Sequence, residues 1–287
     1  MASPAAVFYA CPVKPENIQQ LGLIAGRGSY PLQLAESARK QGVTRLFAVA
    51  FKRETDSAIE QKVDEVKWLH LGQLGALLDA LRASGVRHAV MAGQITPTSL
   101  FTVRMDKPML ALLGRLRVRN AETIFGAVAE ELKAIGIELL PAHLFMEAAM
   151  PAAGLLGRRP PTAAEEQDIQ LGLRVARTTS GLEIGQTVVI KQGTILAVEA
   201  FEGTDETIAR AGRLGGPGAV VVKVAKRGHD MRFDIPVVGP HTIKNLGKIK
   251  AAVLAIEAGR AIILERERVI READRLGISI VAVGVSE

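Results

Sequence analysis

Residues 223 to 234 bring together side chains that could handle a phosphate ester, and they lie between two apolar segments. Seven of these twelve residues are charged or can titrate: Lys223, Lys226, Arg227, His229, Asp230, Arg232 and Asp234. The flanking residues 219–222 and 235–238 are apolar, as in buried strands. Lysines and arginines could bind phosphate oxygens, and a carboxylate could hold water or a metal ion. A salt-bridged exposed edge would explain the same pattern.

Charged and apolar side chains alternate along residues 231–235, which would place two charges on one side of an extended segment. If residues 231–235 are extended, Arg232 and Asp234 point to one face and the apolar residues between them to the other. A cation and an anion then lie two residues apart on that face. Lys223 and Arg232 could bind phosphate oxygens there, while Asp234 positions water or a metal ion.

A second group of acids surrounds the predicted strand-to-helix turn at residues 199–205. Glu199, Glu202 and Asp205 could hold a hard cation such as Mg²⁺. Alternatively, Thr204 or Asp205 caps the helix that follows. Capping does not account for Glu199, which follows an apolar strand and would be costly to bury unless it is paired.

A glycine loop follows the first predicted strand. Gly26 and Gly28 precede a helix, where backbone N–H groups could approach a phosphate. The dinucleotide-binding pattern is incomplete, because Pro31 occupies the place of the third glycine. Lys52 and Arg53 end the next strand in place of a ribose-binding acid, which leaves a weak NADP-binding alternative. An ordinary tight turn explains the loop equally well.

Another predicted strand ends at Gly93 and should open on the same sheet edge. Gln94 and Thr96, which follow it, could form hydrogen bonds with a uracil or a ribose. A plain connecting loop is the alternative.

Alternating strand and helix signals predict an α/β fold with a parallel sheet covered on both faces. In the first half, strands are predicted at 21–26, 45–51, 66–71 and 86–93, and helices at 32–40, 74–85, 107–117 and 121–135. In the second half, the pattern first predicts a helix at 163–178, which Thr162 caps, and a hairpin at 186–203 that turns at Gln192-Gly193. A helix at 203–215, a strand at 219–226 and one long helix at 241–259 follow. A final strand, helix and strand complete the prediction.

A stretch rich in Pro, Gly and Ala at 151–167 interrupts the pattern and indicates a domain boundary. We therefore predict an extension at 1–20, a Rossmann-like N-terminal domain at 21–150, a linker at 151–165 and a C-terminal catalytic α/β domain at 166–287.

Composition restricts the partners. The net charge of +6 favours anionic partners, and the low aromatic content of 4% argues against a surface that stacks single-stranded nucleic acid. A single cysteine, Cys11, excludes an internal disulfide and indicates a reducing compartment. No apolar run reaches the ~18 residues of a membrane span, and the first residues lack the basic region of a signal peptide. We expect a cytoplasmic protein that does not bind nucleic acid.

Several motifs together resemble the LpxI-type UDP-2,3-diacylglucosamine pyrophosphatases of lipid A biosynthesis. They are LAVEAFEGTD at 196–205 and the pattern K-x-x-K-x-x-x-D-x-R-x-D-x-P-x-x-G-x-x-T at 223–242, preceded by GLIAGRGSYP and MAGQITP in the same order. The resemblance implies two domains and a divalent metal, Mg²⁺ or Mn²⁺. It also implies hydrolysis of a lipid-bearing UDP-sugar to UMP and the acylated sugar phosphate called lipid X.

The resemblance also assigns roles to residues. It implies that Asp234 is the catalytic aspartate, that 202–205 is the EGTD motif, and that Lys223, Lys226, Arg232 and Thr242 form the charged loop. Arg227 and His229 depart from the usual proline and glutamine. The expected set is Asp234, Arg232 and Lys223 for catalysis, Gly26, Gly28, Gly93, Gln94, Thr204, Lys226 and Thr242 for substrate binding, and Asp234, Asp205 and Glu202 for the metal.

The expected partners are the lipid-bearing UDP-sugar and, through the basic charge, an anionic membrane touched from the cytoplasmic side of the inner membrane. We also expect a homodimer. The alternatives are an NADP-binding oxidoreductase and a nucleotide-binding protein without catalysis.

Overall fold

The computed structural model describes residues 14–95, 104–226, 232 and 235–284. Its contacts divide the described residues into two compact units, called here the N-terminal unit (14–146, with Arg232) and the C-terminal unit (147–226 and 235–284). Each unit combines a β-sheet with helices, which confirms the prediction of two α/β domains. No helix within these ranges is both long enough and apolar enough to cross a bilayer.

The N-terminal unit is organised around a parallel sheet with the strand order β3-β2-β1-β4-β5. Its strands are β1 (Gln20–Ala25), β2 (Arg45–Phe51), β3 (Glu65–Leu69), β4 (His88–Ala92) and β5 (Glu138–Leu139), and its α-helices are α1 (Tyr30–Lys40), α2 (Leu74–Ser84), α3 (Lys107–Arg115) and α4 (Ala121–Ala134).

Continuous apolar strands explain why this sheet is covered on both faces. Every residue of β2 from Leu46 to Phe51 is buried, as expected when helices pack on both sides of a parallel sheet. The strand order reverses at the β1–β4 pair, because β2 and β3 lie on one side and β5 on the other. The loops after β1 and β4 therefore flank the topological switch point, where ligands of such sheets bind.

The C-terminal unit contains a mixed sheet with the strand order β6-β13-β11-β9-β7-β8. Its strands are β6 (Gly154–Leu155), β7 (Thr187–Lys191), β8 (Thr194–Val198), β9 (Val220–Lys223), β11 (Val253–Glu257) and β13 (Ser279–Val283), and a separate parallel pair is formed by β10 (Val237–Val238) and β12 (Ile262–Ile263). The helices are α5 (Ala163–Gly181), α6 (Thr204–Gly215), α7 (Pro240–Lys248) and α8 (Arg266–Leu276). Strands β9, β11 and β13 are parallel, whereas the β7–β8 hairpin and β6 are antiparallel to their neighbours.

Local sequence signals fix the first elements of this unit. Thr162 caps α5 as predicted, in a reciprocal capping box with Glu165. The hairpin turns at Gln192 and Gly193, both with positive φ, and the buried carboxylate of Asp168 accepts 2.7 Å hydrogen bonds from both of their N–H groups. Asp168 therefore holds the turn of the hairpin against α5.

The prediction of one helix at 241–259 is wrong. Helix α7 ends at Lys248, Lys250 turns the chain with a φ of 49°, and the following residues form the central strand β11. All five residues of β11 are buried between β9 and β13. A short apolar run at this position fits a helix or a buried strand equally well by periodicity, and the sheet supplied the partners that decided it.

The segment 151–165, predicted as a linker, lies within the C-terminal unit. It contains β6, which pairs antiparallel with β13, and the first turn of α5.

Candidate active site

Four chain segments meet at one edge of the sheet in the C-terminal unit. The parallel strands β9 and β11 end there at Lys223 and Glu257. Thr187, at the start of β7, pairs with Lys223, and Val198, at the end of β8, pairs with the residue after Thr187. The acidic turn and the charged stretch, predicted separately, therefore leave the sheet at the same edge, where parallel-sheet ligands bind.

Lys223 and Glu199 are both buried at this edge and are joined through Thr204. Lys223 is 7% exposed, and its Nζ donates a 3.0 Å hydrogen bond to Thr204 Oγ1. Thr204 donates in turn to Glu199 Oε1 at 2.8 Å. Because the single hydroxyl proton of Thr204 goes to the carboxylate, Thr187 donates across the 3.3 Å contact between the two threonines. Thr204 thus accepts a hydrogen bond from the ammonium of Lys223 and donates one to the carboxylate of Glu199.

This arrangement explains why an acid can be buried at position 199. Glu199 is 8% exposed, and its second oxygen accepts from Gln186 N at 3.3 Å. The ammonium of Lys223, which lies one hydroxyl away, supplies the compensating charge. The predicted cap by Thr204 or Asp205 is wrong, because Gly203 with a φ of 83° occupies the N-cap of α6 without a side-chain cap bond.

Glu202 braces the turn between β8 and α6. It forms an ion pair with Arg210 at 2.5 Å and accepts hydrogen bonds from Thr207 Oγ1 and Ala200 N. The hydrogen bond from Arg210 holds the pKa of Glu202 below its usual value. Both oxygens of Glu202, a predicted metal ligand, therefore already accept hydrogen bonds within this turn.

Asp205, in the first turn of α6, contacts two side chains of α7. Its Oδ1 accepts from Asn245 Nδ2 at 2.8 Å, and its Oδ2 lies 3.4 Å from His241 Nδ1. Asp205 is exposed, so its oxygens can also be reached from solvent. Among the described residues, no three His, Cys, Asp or Glu side chains gather as a metal centre would require, and the third predicted ligand, Asp234, lies outside them.

The residues of the charged stretch are described only in part. Lys226 forms an ion pair with Glu183, and Arg232 is half-buried. Thr242 Oγ1 accepts from Gly239 N at 3.3 Å in the first turn of α7, so its hydroxyl caps this helix. Residues 227–231, 233 and 234 lie outside the described part of the chain, as does Thr96 in the N-terminal unit.

The sequence interpretation missed one buried ion pair at the same edge. Glu257 is 1% exposed and lies 2.9 Å from Arg177 Nε. Its second oxygen accepts from Ala225 N at 2.9 Å, two residues after β9 ends. Glu257 therefore anchors the first residues of the charged stretch to α5. The available signal was a glutamate directly after four apolar residues of a strand, Val253–Ile256.

In the N-terminal unit, the two predicted glycine loops are hydrogen-bonded to each other. Gly26 N donates to Ala92 O at 2.8 Å, and Arg27 and Gln94 exchange backbone hydrogen bonds of 2.7 and 3.1 Å. A Cβ on Gly26 would lie 2.6 Å from Gln94 O, and one on Gly93 would lie 2.7 Å from Arg27 O. These two glycines are therefore required by the contact between the loops.

Gly28 differs from the other two glycines. A Cβ there would meet nothing within 4 Å, although its φ of 93° lies in the left-handed region. The space beside Gly28 is open to a ligand, whereas the space beside Gly26 and Gly93 is filled by the backbone of the neighbouring loop. Lys52 and Arg53 are exposed at the end of β2.

Comparison with known proteins decides the family. Models of the LpxI N-terminal domain and the LpxI C-terminal domain match residues 20–149 and 152–281. The chain belongs to the LpxI family. A relative from Caulobacter vibrioides, named UDP-2,3-diacylglucosamine pyrophosphatase LpxI, is 32% identical over 283 residues, which cover 94% of this chain and 99% of the relative.

A solved structure, the biotin carboxylase domain of Hydrogenobacter thermophilus 2-oxoglutarate carboxylase, resembles this LpxI-family chain only weakly. It is 10% identical, covers 68% of this chain and 40% of its own, and has a TM-score of 0.28.

Proposed function

We propose that this LpxI-family chain hydrolyses the pyrophosphate of UDP-2,3-diacylglucosamine to UMP and 2,3-diacylglucosamine 1-phosphate (lipid X) in lipid A biosynthesis. The observation that carries the proposal is the buried Lys223, held through Thr204 at the sheet edge from which the charged stretch departs. The name of the Caulobacter vibrioides relative, which matches nearly the whole chain, supports the same activity.

Lys223 is suited to stabilise charge on a pyrophosphate. Of its three N–H donors, the described residues use one, in the hydrogen bond to Thr204. The others can be directed at phosphate oxygens, where negative charge develops as the bond to the leaving phosphate breaks. Burial lowers the local dielectric constant, which strengthens this interaction relative to one at an exposed lysine. Glu199 and Thr204 fix the ammonium in place before the substrate arrives.

Asp234 is proposed to position the attacking water, and Arg232 to bind a phosphate oxygen beside it. A carboxylate two residues from a guanidinium can orient water toward phosphorus while the cation holds the phosphate. Lys226 and Thr242 are proposed to contact the substrate at the two ends of the charged stretch. Gly28 and Gln94 are proposed to contact the nucleotide within the N-terminal unit.

A divalent cation, Mg²⁺ or Mn²⁺, is part of this proposal. The exposed carboxylate of Asp205 fits a hard cation, and we assign the ion to Asp205 and Asp234, without Glu202. When bound, the cation would neutralise charge on the pyrophosphate oxygens. The alignment of Asp205 by Asn245 would restrict the direction from which the ion can approach.

The direct test is to mix the protein with UDP-2,3-diacylglucosamine in detergent micelles with Mg²⁺ and to measure UMP by chromatography. We expect release of UMP and lipid X in equal amounts. Binding of UDP-diacylglucosamine without any UMP would instead support a non-catalytic nucleotide-binding protein. We do not favour the NADP-binding alternative, because the close backbone approach at Gly26 is used by the Gln94 loop.

Replacing Asp234 tests its catalytic role. Asp234→Asn keeps the shape of the side chain and removes its charge, so we expect kcat to fall ~10²–10⁴-fold with little change in substrate binding. Asp230→Asn, four residues earlier in the same stretch, is the matched control and should retain most of the turnover. If Asp234 only forms a surface ion pair, its loss should cost ~0–1 kcal/mol of stability and leave the activity intact.

The proposed location is the cytoplasmic face of the inner membrane, with the protein present as a homodimer. Cell fractionation measures the first, and sedimentation equilibrium of the purified protein measures the second. A single species of 30.6 kDa at micromolar concentration would refute the dimer.

A further inference from the structure

A strongly basic surface with exposed apolar side chains lies on the N-terminal unit. We call residues 104–119, which contain α3 and the segment after it, the α3 surface. It carries five cations, Arg104, Lys107, Arg115, Arg117 and Arg119, and one anion, Asp106. Five minus one gives +4, two-thirds of the net charge of +6 of the whole chain.

One side of α3 fixes this segment to the core. Met109 and Leu112 are buried in the apolar cluster of the N-terminal unit. Asp106 caps the helix by accepting from Met109 N at 2.9 Å, and it also accepts from Gly75 N at 2.8 Å. The only anion of the α3 surface is therefore engaged by backbone N–H groups, and its helix is held firmly in place.

The opposite side of α3 is exposed and partly apolar. Lys107, Leu110, Ala111 and Gly114 follow the i, i+3, i+4, i+7 spacing of one helical face, and all four are exposed. Leu110 is 56% exposed, and Val118, just beyond the helix, is 59% exposed. Leu110, Ala111 and Gly114 therefore form an exposed apolar strip on α3, which also carries the cations Lys107 and Arg115.

Most of the cations are not neutralised nearby. Arg115 pairs with Glu131, and Arg119 Nε donates to Leu113 O at 3.2 Å. Arg104, Lys107 and Arg117 are exposed and form no ion pair or hydrogen bond within the described residues. These three positive charges can meet an external anionic surface without first breaking a contact within the described part of the chain.

We propose that the α3 surface docks on an anionic lipid bilayer, with Leu110 and Val118 entering the headgroup boundary and the cations contacting lipid phosphates. The inference rests on the proposed function, because a substrate with two acyl chains must be taken from a membrane. Basic side chains around exposed aliphatic residues match an interfacial helix. A nucleic acid would use the charges but not the aliphatic side chains, and the α3 surface has no aromatic residue for stacking bases.

Vesicle co-sedimentation of the full chain tests the proposal. Wild-type protein should bind vesicles containing phosphatidylglycerol much more tightly than pure phosphatidylcholine vesicles, and high salt should weaken that binding. The triple variant Arg104→Gln/Lys107→Gln/Arg117→Gln should lose about fivefold in affinity per cation, or about a hundredfold. Leu110→Gln should lose about five- to tenfold, because the leucine no longer enters the boundary.

Matched controls separate this surface from a general effect of charge. Arg213→Gln/Arg266→Gln/Arg275→Gln removes the same charge from exposed positions of the C-terminal unit, and Leu214→Gln removes an exposed helical leucine there. Both controls should bind vesicles like the wild type. An equal loss in the controls, or no binding of wild-type protein to anionic vesicles, would overturn the proposal.

Activity measurements distinguish this proposal from the proposed function. In detergent micelles the triple variant should release UMP at the wild-type rate, while its rate on substrate embedded in anionic vesicles should fall with its binding. A wild-type chain that binds vesicles by the α3 surface but never releases UMP would refute the hydrolase and leave the docking surface standing. Wild-type protein that releases UMP in micelles but does not bind anionic vesicles would refute the docking surface and leave the hydrolase standing.

Discussion

Glu257→Gln should destabilise the C-terminal unit substantially, although it changes only one atom. The glutamine oxygen can still accept from Ala225 N, but its amide nitrogen then faces Arg177 Nε, which is 2.9 Å from the carboxylate in the wild type. Arg177 Nη2 is already buried without a hydrogen-bond partner among the described residues. Removing one partner of a buried ion pair typically costs ~3–5 kcal/mol. Because Arg177 keeps some access to solvent, we expect about 3 kcal/mol.

The measurement is thermal and urea unfolding of three variants, Glu257→Gln, Arg177→Met and the double variant. A loss of about 3 kcal/mol corresponds to a fall in Tm of roughly 10 °C for a unit of this size. The double variant should be no less stable than Glu257→Gln alone, because the second change removes the unpaired guanidinium. The cycle should therefore give a coupling energy of about 2–3 kcal/mol.

An exposed pair provides the control for this cycle. Glu267 is paired with Arg271 at 3.4 Å on the surface of α8, and Glu267→Gln should not change Tm measurably. If Glu257→Gln were as mild as this control, or if the cycle were additive, Glu257 would not be held by Arg177 as described. In that case Glu257 would not anchor the charged stretch to α5.

Three further predictions concern the metal and the N-terminal unit. EDTA should abolish hydrolysis and Mg²⁺ or Mn²⁺ should restore it, and full activity in metal-free buffer would remove the cation from the proposal. Gly93→Ala should cost more than ~2 kcal/mol, because its Cβ would press on Arg27 O, whereas Gly28→Ala should cost only ~1 kcal/mol of backbone strain; equal losses in Tm would contradict this. Burial lowers the pKa of His143, so its contribution to stability is complete above the unfolded pKa of ~6.5 and is lost as pH falls below it. Urea unfolding should show that the free energy of unfolding falls less between pH 7.5 and pH 5.5 for His143→Gln than for the wild type. An identical fall in both proteins would show that His143 is not the cause.

Local signals in the sequence were sufficient for many elements. Thr162 caps α5 as predicted, and Gly85, the last residue of the predicted helix 74–85, ends α2 in the left-handed region. The Gln192-Gly193 turn closes the predicted hairpin. Each of these features depends on residues within a few positions of one another, so neighbouring residue types alone determine them.

Features that depend on distant partners were missed or assigned wrongly. Residues 253–257 form a central strand because β9 and β13 offer backbone partners on both sides, and nothing nearby in the chain indicates this. Thr204 leaves the capping role because a lysine 19 residues away and a glutamate five residues away engage its hydroxyl. The pairing of Glu257 with Arg177 spans 80 residues.

The sequence by itself determined the family motifs, the two α/β domains and the residue types available for phosphate chemistry, because these follow from composition, order and short-range spacing. Only the tertiary structure decided which of those residues meet. It joined Lys223, Thr204 and Glu199 at one sheet edge, paired Glu202 with Arg210, and placed Gly26 and Gly93 in a contact between loops. The physical reason is that hydrogen bonds, charge pairing and close backbone approach depend on distances in space, and these are set by sheet order and register.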